Sequence, residues 1–100
     1  MIKIKTGAEV NGLRTEMLLA ITVADTLYTK HNVDCVITEG TGGKHGIGSL
    51  HYVGLAVDLR TRDMDVDTQV KVRQELQEAL GRQYDVLREK DHMHIEFQPK

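Results

Sequence analysis

The run HMHIEF, residues 92–97, alternates polar and apolar residues without a break, and no other feature constrains the fold of this chain as tightly. Side chains along a strand point to opposite faces, so His92, His94 and Glu96 share one face while Met93, Ile95 and Phe97 share the other. A helix would scatter both sets around its axis. The alternation therefore calls for a sheet with one apolar face against a core and a polar face opposite, the usual arrangement of antiparallel strands. The segment YVGLAVDLR, residues 52–60, reads as a strand under the same rule. It turns Val53, Leu55, Val57 and Leu59 towards the core, and Gly54, Ala56 and Asp58 to the far side, where the small residues leave space above the sheet.

The other patterns supply what covers the apolar face. Residues 12–30 place Leu13, Met17, Ile21, Ala24 and Tyr28 at helical spacing, with Asn11 as N-cap. VDCVITE, residues 33–39, is short and rich in β-branched residues and reads as a strand. TRDMDVD supplies caps for a helix over residues 66–80, with Val66, Val70, Leu76 and Leu80 on its core side and Gly81 ending it. YDVLRE, residues 84–89, and the alternating run then form a hairpin. The sketch is β, α, β, loop, β, α, β, β. It describes an α+β domain with helices on one face of a small, mostly antiparallel sheet and a cleft on the other. A chain of 100 residues buries about two-thirds of its unfolded surface, enough for one small core, so a single domain spans residues 1–100.

Charge excludes several classes of partner. The 13 basic and 15 acidic residues give a net charge of -2 with no block of one sign, which argues against a nucleic-acid or membrane-surface binder. MIKIKTGAEV lacks the sections of a signal peptide, and the expectation is a soluble monomer made in the cytoplasm. The one cysteine, Cys35, excludes an internal disulfide and sits in an apolar run as a buried thiol.

The polar face gathers unusual chemistry. His51 has the wrong parity to join Asp58 on a regular strand, so it belongs where GTGGKHGIGSL, with its five glycines, turns into the strand. His51, Asp58, His92 and His94, with Asp91 and Glu89 close by, offer the imidazole and carboxylate set of a catalytic zinc site with one position open. Spacing alone leaves a plainer alternative, in which His92 and His94 face solvent and Asp58 caps a strand end.

SLHYVGLAVD, residues 49–58, resembles the S-x-H-x-x-G-x-A-x-D signature of the zinc D-alanyl-D-alanine peptidases, with Ser49, His51, Gly54, Ala56 and Asp58 at the fixed positions. That family includes D,D-carboxypeptidases, D,D-dipeptidases and phage endolysin peptidases that cut between L-alanine and D-glutamate. DHMHIEF, residues 91–97, is similar to its second motif, an acid, two residues, and a histidine followed by Glu and an aromatic. The resemblance spans roughly residues 33–97 and implies the Hedgehog/DD-peptidase fold, a Zn2+ cofactor held by His51, Asp58 and His94, and Asp91 as general base. A second register, from Glu89 to His92, also fits the motif; His94 is preferred because Ile95, Glu96 and Phe97 follow it.

The resemblance further implies hydrolysis of an amide bond in a peptidoglycan stem peptide by a small phage or prophage enzyme, which would reach the cell wall when released at lysis. Ser49 would shape the loop and hydrogen-bond substrate, and His92 would orient water or stabilise the oxyanion. The family's substrate-binding arginine has no counterpart in TEGTGGKHGIGS, which leaves Lys44 or His45 to take its place. The related Hedgehog signalling domain suggests the alternative of a metal-binding or phage structural protein that keeps the fold without turnover.

Overall fold

A computed structural model describes residues 1–43 and 45–100. Five strands and two helices follow one another as β1 (Ile2–Ile4), α1 (Thr15–Lys30), β2 (Cys35–Glu39), β3 (Ala56–Arg60), α2 (Val66–Leu80), β4 (Tyr84–Arg88) and β5 (His92–Phe97), with a single 3-10 turn at Leu50–Val53. The strands form one open sheet in the order β1-β2-β3-β5-β4. Only β1 and β2 run parallel; the other pairs are antiparallel. The α+β class, the order of elements and the C-terminal hairpin are as the sequence indicates.

The core lies between the helices and one face of this sheet. Met17, Ala20, Ile21, Ala24 and Tyr28 of α1 and Val72 and Leu76 of α2 pack with Cys35, Ile37, Val57, Leu59, Val86, Met93 and Ile95 of the strands. The inward residues of β3 and β5 are those of the alternation rule, and the register sets Val57 opposite Ile95 and Leu59 opposite Met93. Tyr28 is fully buried, and its hydroxyl donates to the Arg60 carbonyl at 3.0 Å, satisfying the one polar atom it brings inside.

Four expectations shift. Helix α1 starts at Thr15 rather than residue 12, with Arg14 at the N-cap position and no side-chain cap, so Asn11 plays no such part. Strand β2 begins at Cys35, two residues later than the β-branched run suggests. Residues 52–55 do not belong to a strand: the Ser49 hydroxyl accepts the His51 N–H and curls Leu50–Val53 into the 3-10 turn, leaving Tyr52 and Val53 exposed. On α2, Val66 and Val70 are exposed and the buried stripe is Gln69, Val72 and Leu76. At about 100° per residue, Val70 lies roughly 125° from the centre of that stripe, because a step of six residues does not return to the same helix face. Gln69 is buried without penalty: its amide donates to the Thr61 and Met64 carbonyls and its oxygen accepts from Arg88. Asp65 caps the N-terminus of α2 through the Thr68 N–H, and Gly81 ends the helix with φ of 86°.

Candidate metal centre

Two of the centre's residues are placed by the sheet itself. Asp58 on β3 and His94 on β5 are direct cross-strand partners, and both project from the face opposite the helices. Directly opposed residues in an antiparallel pair have Cβ atoms about 5 Å apart, which brings a carboxylate and an imidazole into contact without help from any loop. The Asp58 Oδ1 to His94 Nδ1 distance is 3.0 Å.

His51 comes from the 3-10 turn. That turn closes on Gly54, whose φ of 78° is left-handed and whose N–H donates to the His51 carbonyl at 3.1 Å. A Cβ at Gly54 would collide with the Gly12 carbonyl oxygen, so no other residue fits this corner. Arg14 fastens the turn to the start of α1, its N–H donating to the Gly54 carbonyl at 2.9 Å and its Nε to Val53 at 3.1 Å. The Ser49 hydroxyl accepts the His51 N–H at 3.2 Å at the start of the turn. His51 is 3 % exposed, and its Nε2 lies 3.3 Å from Asp58 Oδ1.

Ligand atoms of His51, Asp58 and His94 all lie within 4.8 Å of one another. The hydrogen bonds behind them decide which atoms face the centre. His51 Nδ1 is 2.7 Å from the Gly40 carbonyl oxygen, which can only accept, so Nδ1 carries a proton and Nε2 is the nitrogen turned to Asp58. His94 Nε2 is 2.8 Å from Glu96 Oε1 and its Nδ1 is 3.0 Å from Asp58 Oδ1, so both ring nitrogens face acceptors and Nδ1 is the one turned inwards. His51 Nε2, His94 Nδ1 and the Asp58 carboxylate thus converge on one spot. Such an arrangement repels itself unless a proton or a cation sits between them.

The protonation energetics agree with that picture. Burial alone would raise the Asp58 carboxyl, but hydrogen bonds from His51 and His94 outweigh it and hold the group well below the usual carboxylate range. His94 is raised from the ordinary 6.5, first by its bond to Asp58, against the opposing effect of burial and with further help from Glu96. In the absence of a metal a proton takes the place of a cation here. The donor set, two imidazoles and one carboxylate with outer partners on both rings, could hold a metal ion.

The remaining candidates divide. His92 shares the open face, with Nε2 3.7 Å from Asp58 Oδ2. Asp91 does not touch the three ligands: its side chain is 83 % exposed, and it reaches them only through His92, whose Nδ1 is 2.7 Å from Asp91 Oδ1. That bond lowers the Asp91 carboxyl below its ordinary value. Lys44 lies outside the described residues. His45 does not reach outwards as a replacement for arginine; its ring stacks on His51 with centroids 3.8 Å apart and planes 6° from parallel, and its Nε2 is 2.9 Å from the Gly42 carbonyl. Tyr52 holds that stack in place by accepting the His45 N–H at 2.7 Å and donating to the His45 carbonyl at 2.9 Å.

The Gly40 carbonyl and the His45 stack carry no signal in the sequence, since both arise from the path of the glycine-rich loop. Glu96 was open to detection: it lies two residues beyond His94 on the same strand face. Cys35 is fully buried, and burial pushes its thiol up to about 12, which leaves it unreactive. Among the described residues, no helix is long and apolar enough to cross a membrane. No protein-family model matches the chain, and a search of the curated proteins returns no match.

Proposed function

We propose that this chain is a zinc-dependent peptidase that hydrolyses an amide bond in peptidoglycan stem peptides, as a D,D-carboxypeptidase or an endolysin-type endopeptidase of phage or prophage origin. The observation that carries the proposal is the convergence of His51 Nε2, Asp58 and His94 Nδ1, with each ring's other nitrogen fixed by an acceptor. The resemblance of residues 49–58 and 91–97 to the zinc D-alanyl-D-alanine peptidases supplies the substrate class. Zinc held by these three residues would lower the pKa of a bound water to about 7 and polarise the scissile carbonyl.

The chain's own residues divide the remaining work. His92 stands on the ligand face within 3.7 Å of Asp58, positioned to take a proton from the attacking water and deliver it to the leaving amine. Asp91 fixes the orientation of His92 through Nδ1, and the pair shares the general-base role that the resemblance alone gives to Asp91. Ser49 holds the His51 turn, so its contribution is to ligand geometry.

The exposure of Asp91 favours a second reading, a metal-binding or phage structural protein without turnover. The test is release of peptide fragments from purified peptidoglycan, with and without chelator, by wild type, Asp91→Ala and His92→Ala. Chelator-sensitive cleavage, lost with His92→Ala and reduced about 100-fold or more with Asp91→Ala, is the expected result for general-base catalysis. Bound zinc without cleavage of any wall type would instead establish the second reading.

A further inference from the structure

The open face of the sheet continues beyond the metal centre. A cleft of about 330 Å³ is lined by Lys5, Thr38, Arg60, Arg62, Asp91 and His92. Strand register explains the grouping: Arg60 is the direct partner of His92, two residues along β3 from Asp58 and on the same face, with Thr38 on the neighbouring β2. Among the described residues, the side chains of Lys5, Arg60 and Arg62 make no ion pair or hydrogen bond, and the one acid in the cleft, Asp91, is engaged with His92. Three cations without partners among the described residues thus line one concave surface. That costs mutual repulsion, and an anion placed between them would relieve it.

We propose that this cleft is a carboxylate-binding subsite that selects peptides bearing an acidic group close to the bond cleaved. The proposal rests on the peptidase reading for its substrate and on the cationic cleft for its chemistry. Residues two apart on a strand are about 7 Å apart, so an acid held by Arg60 and Arg62 lies roughly two residues of extended peptide from a carbonyl at the centre. The guanidinium fork suits a carboxylate in two-point contact and Lys5 adds a point charge, while the Thr38 hydroxyl is already committed to the Asp58 carbonyl at 3.3 Å. A substrate with an amide at that position would leave the three charges unpaired.

The test separates binding from hydrolysis. Backbone amide shifts of the protein as purified are followed by NMR during titration with glutarate, and with glutaramide as the uncharged equivalent. Glutarate is expected to shift Lys5, Thr38, Arg60 and Arg62, and glutaramide is not. Arg60→Gln and Arg62→Gln should each weaken glutarate binding about tenfold, the scale of one charge-assisted hydrogen bond, with zinc stoichiometry unchanged. Among the described residues the Arg60 side chain has no bonding partner, and its carbonyl remains available to Tyr28, so the variant is expected to fold. An unchanged response in the double variant would overturn the subsite, as would tighter binding of inorganic phosphate than of glutarate at the same amides. Wall cleavage alongside that unchanged response sinks the subsite and leaves the peptidase reading standing. Glutarate binding without cleavage does the reverse.

Discussion

The two faces of β3 and β5 share one backbone ladder and hold together in different ways. On the inner face Val57, Leu59, Met93 and Ile95 are fully buried, and removal of apolar surface from water stabilises them under any solution condition that leaves the chain folded. On the outer face Asp58 and His94 stand in the same direct register as the inner pairs, yet their contact is polar and depends on the proton or cation between them. One face is stable by itself. The other is conditional on a proton or a cation, and a conditional arrangement is what a binding site requires.

Breaking the inner face should have the largest effect. Leu59→Ala removes a fully buried side chain and is expected to cost about 2–5 kcal/mol, read by denaturant unfolding, by the same amount with and without zinc. A cost that zinc largely cancels would mean that the two faces are not independent. Next comes the hydrogen bond behind the metal centre. Glu96→Gln is expected to weaken zinc about 10-fold to 100-fold in a chelator competition while leaving metal-free stability within about 1 kcal/mol, because the carboxylate sets the His94 tautomer from outside the ligand set. Equal zinc affinity in both proteins would remove Glu96 from the account.

The smallest effect is that of pH on the metal-free protein. His94 is raised from 6.5 by Asp58, so its stabilisation is complete below that value and is lost as pH rises through the raised value. Asp58 is depressed from 3.8, so its share is present above that value and is lost as pH falls through the depressed one. The melting temperature without metal should therefore decline from about pH 6 towards pH 8, while the extra stabilisation by zinc grows over the same interval as metal replaces proton. A flat metal-free profile over that range would show that the cluster contributes nothing to stability.

Strand parity carried most of what could be read before any coordinates were known. The alternation in residues 92–97 and the position of Asp58 in an apolar run are local facts, and the sheet preserves them as the Asp58–His94 and Leu59–Met93 pairs. His51 was assigned to the bend before β3 by elimination, and it is there, although the bend is a 3-10 turn set by Ser49 and Gly54. What could not be read depends on backbone path. The Gly40 carbonyl that fixes the His51 tautomer lies eleven residues upstream, and the loop between them has no periodicity to follow. Asp91 matched a motif in sequence, but it precedes the first residue of β5, so parity had no hold on its direction. Arg60 and Glu96 were both within reach of parity, since Arg60 shares the face of Asp58, and Glu96 that of His94, by the same rule.

The central claim is that His51, Asp58 and His94 form one centre that needs a divalent cation. Elemental analysis of wild type and Asp58→Ala, purified side by side without chelator and dialysed against zinc, tests it most directly. The account expects one zinc per chain in the wild type and none in the variant, with both proteins folded by circular dichroism. No zinc in the wild type, or the same zinc content in both, would contradict it.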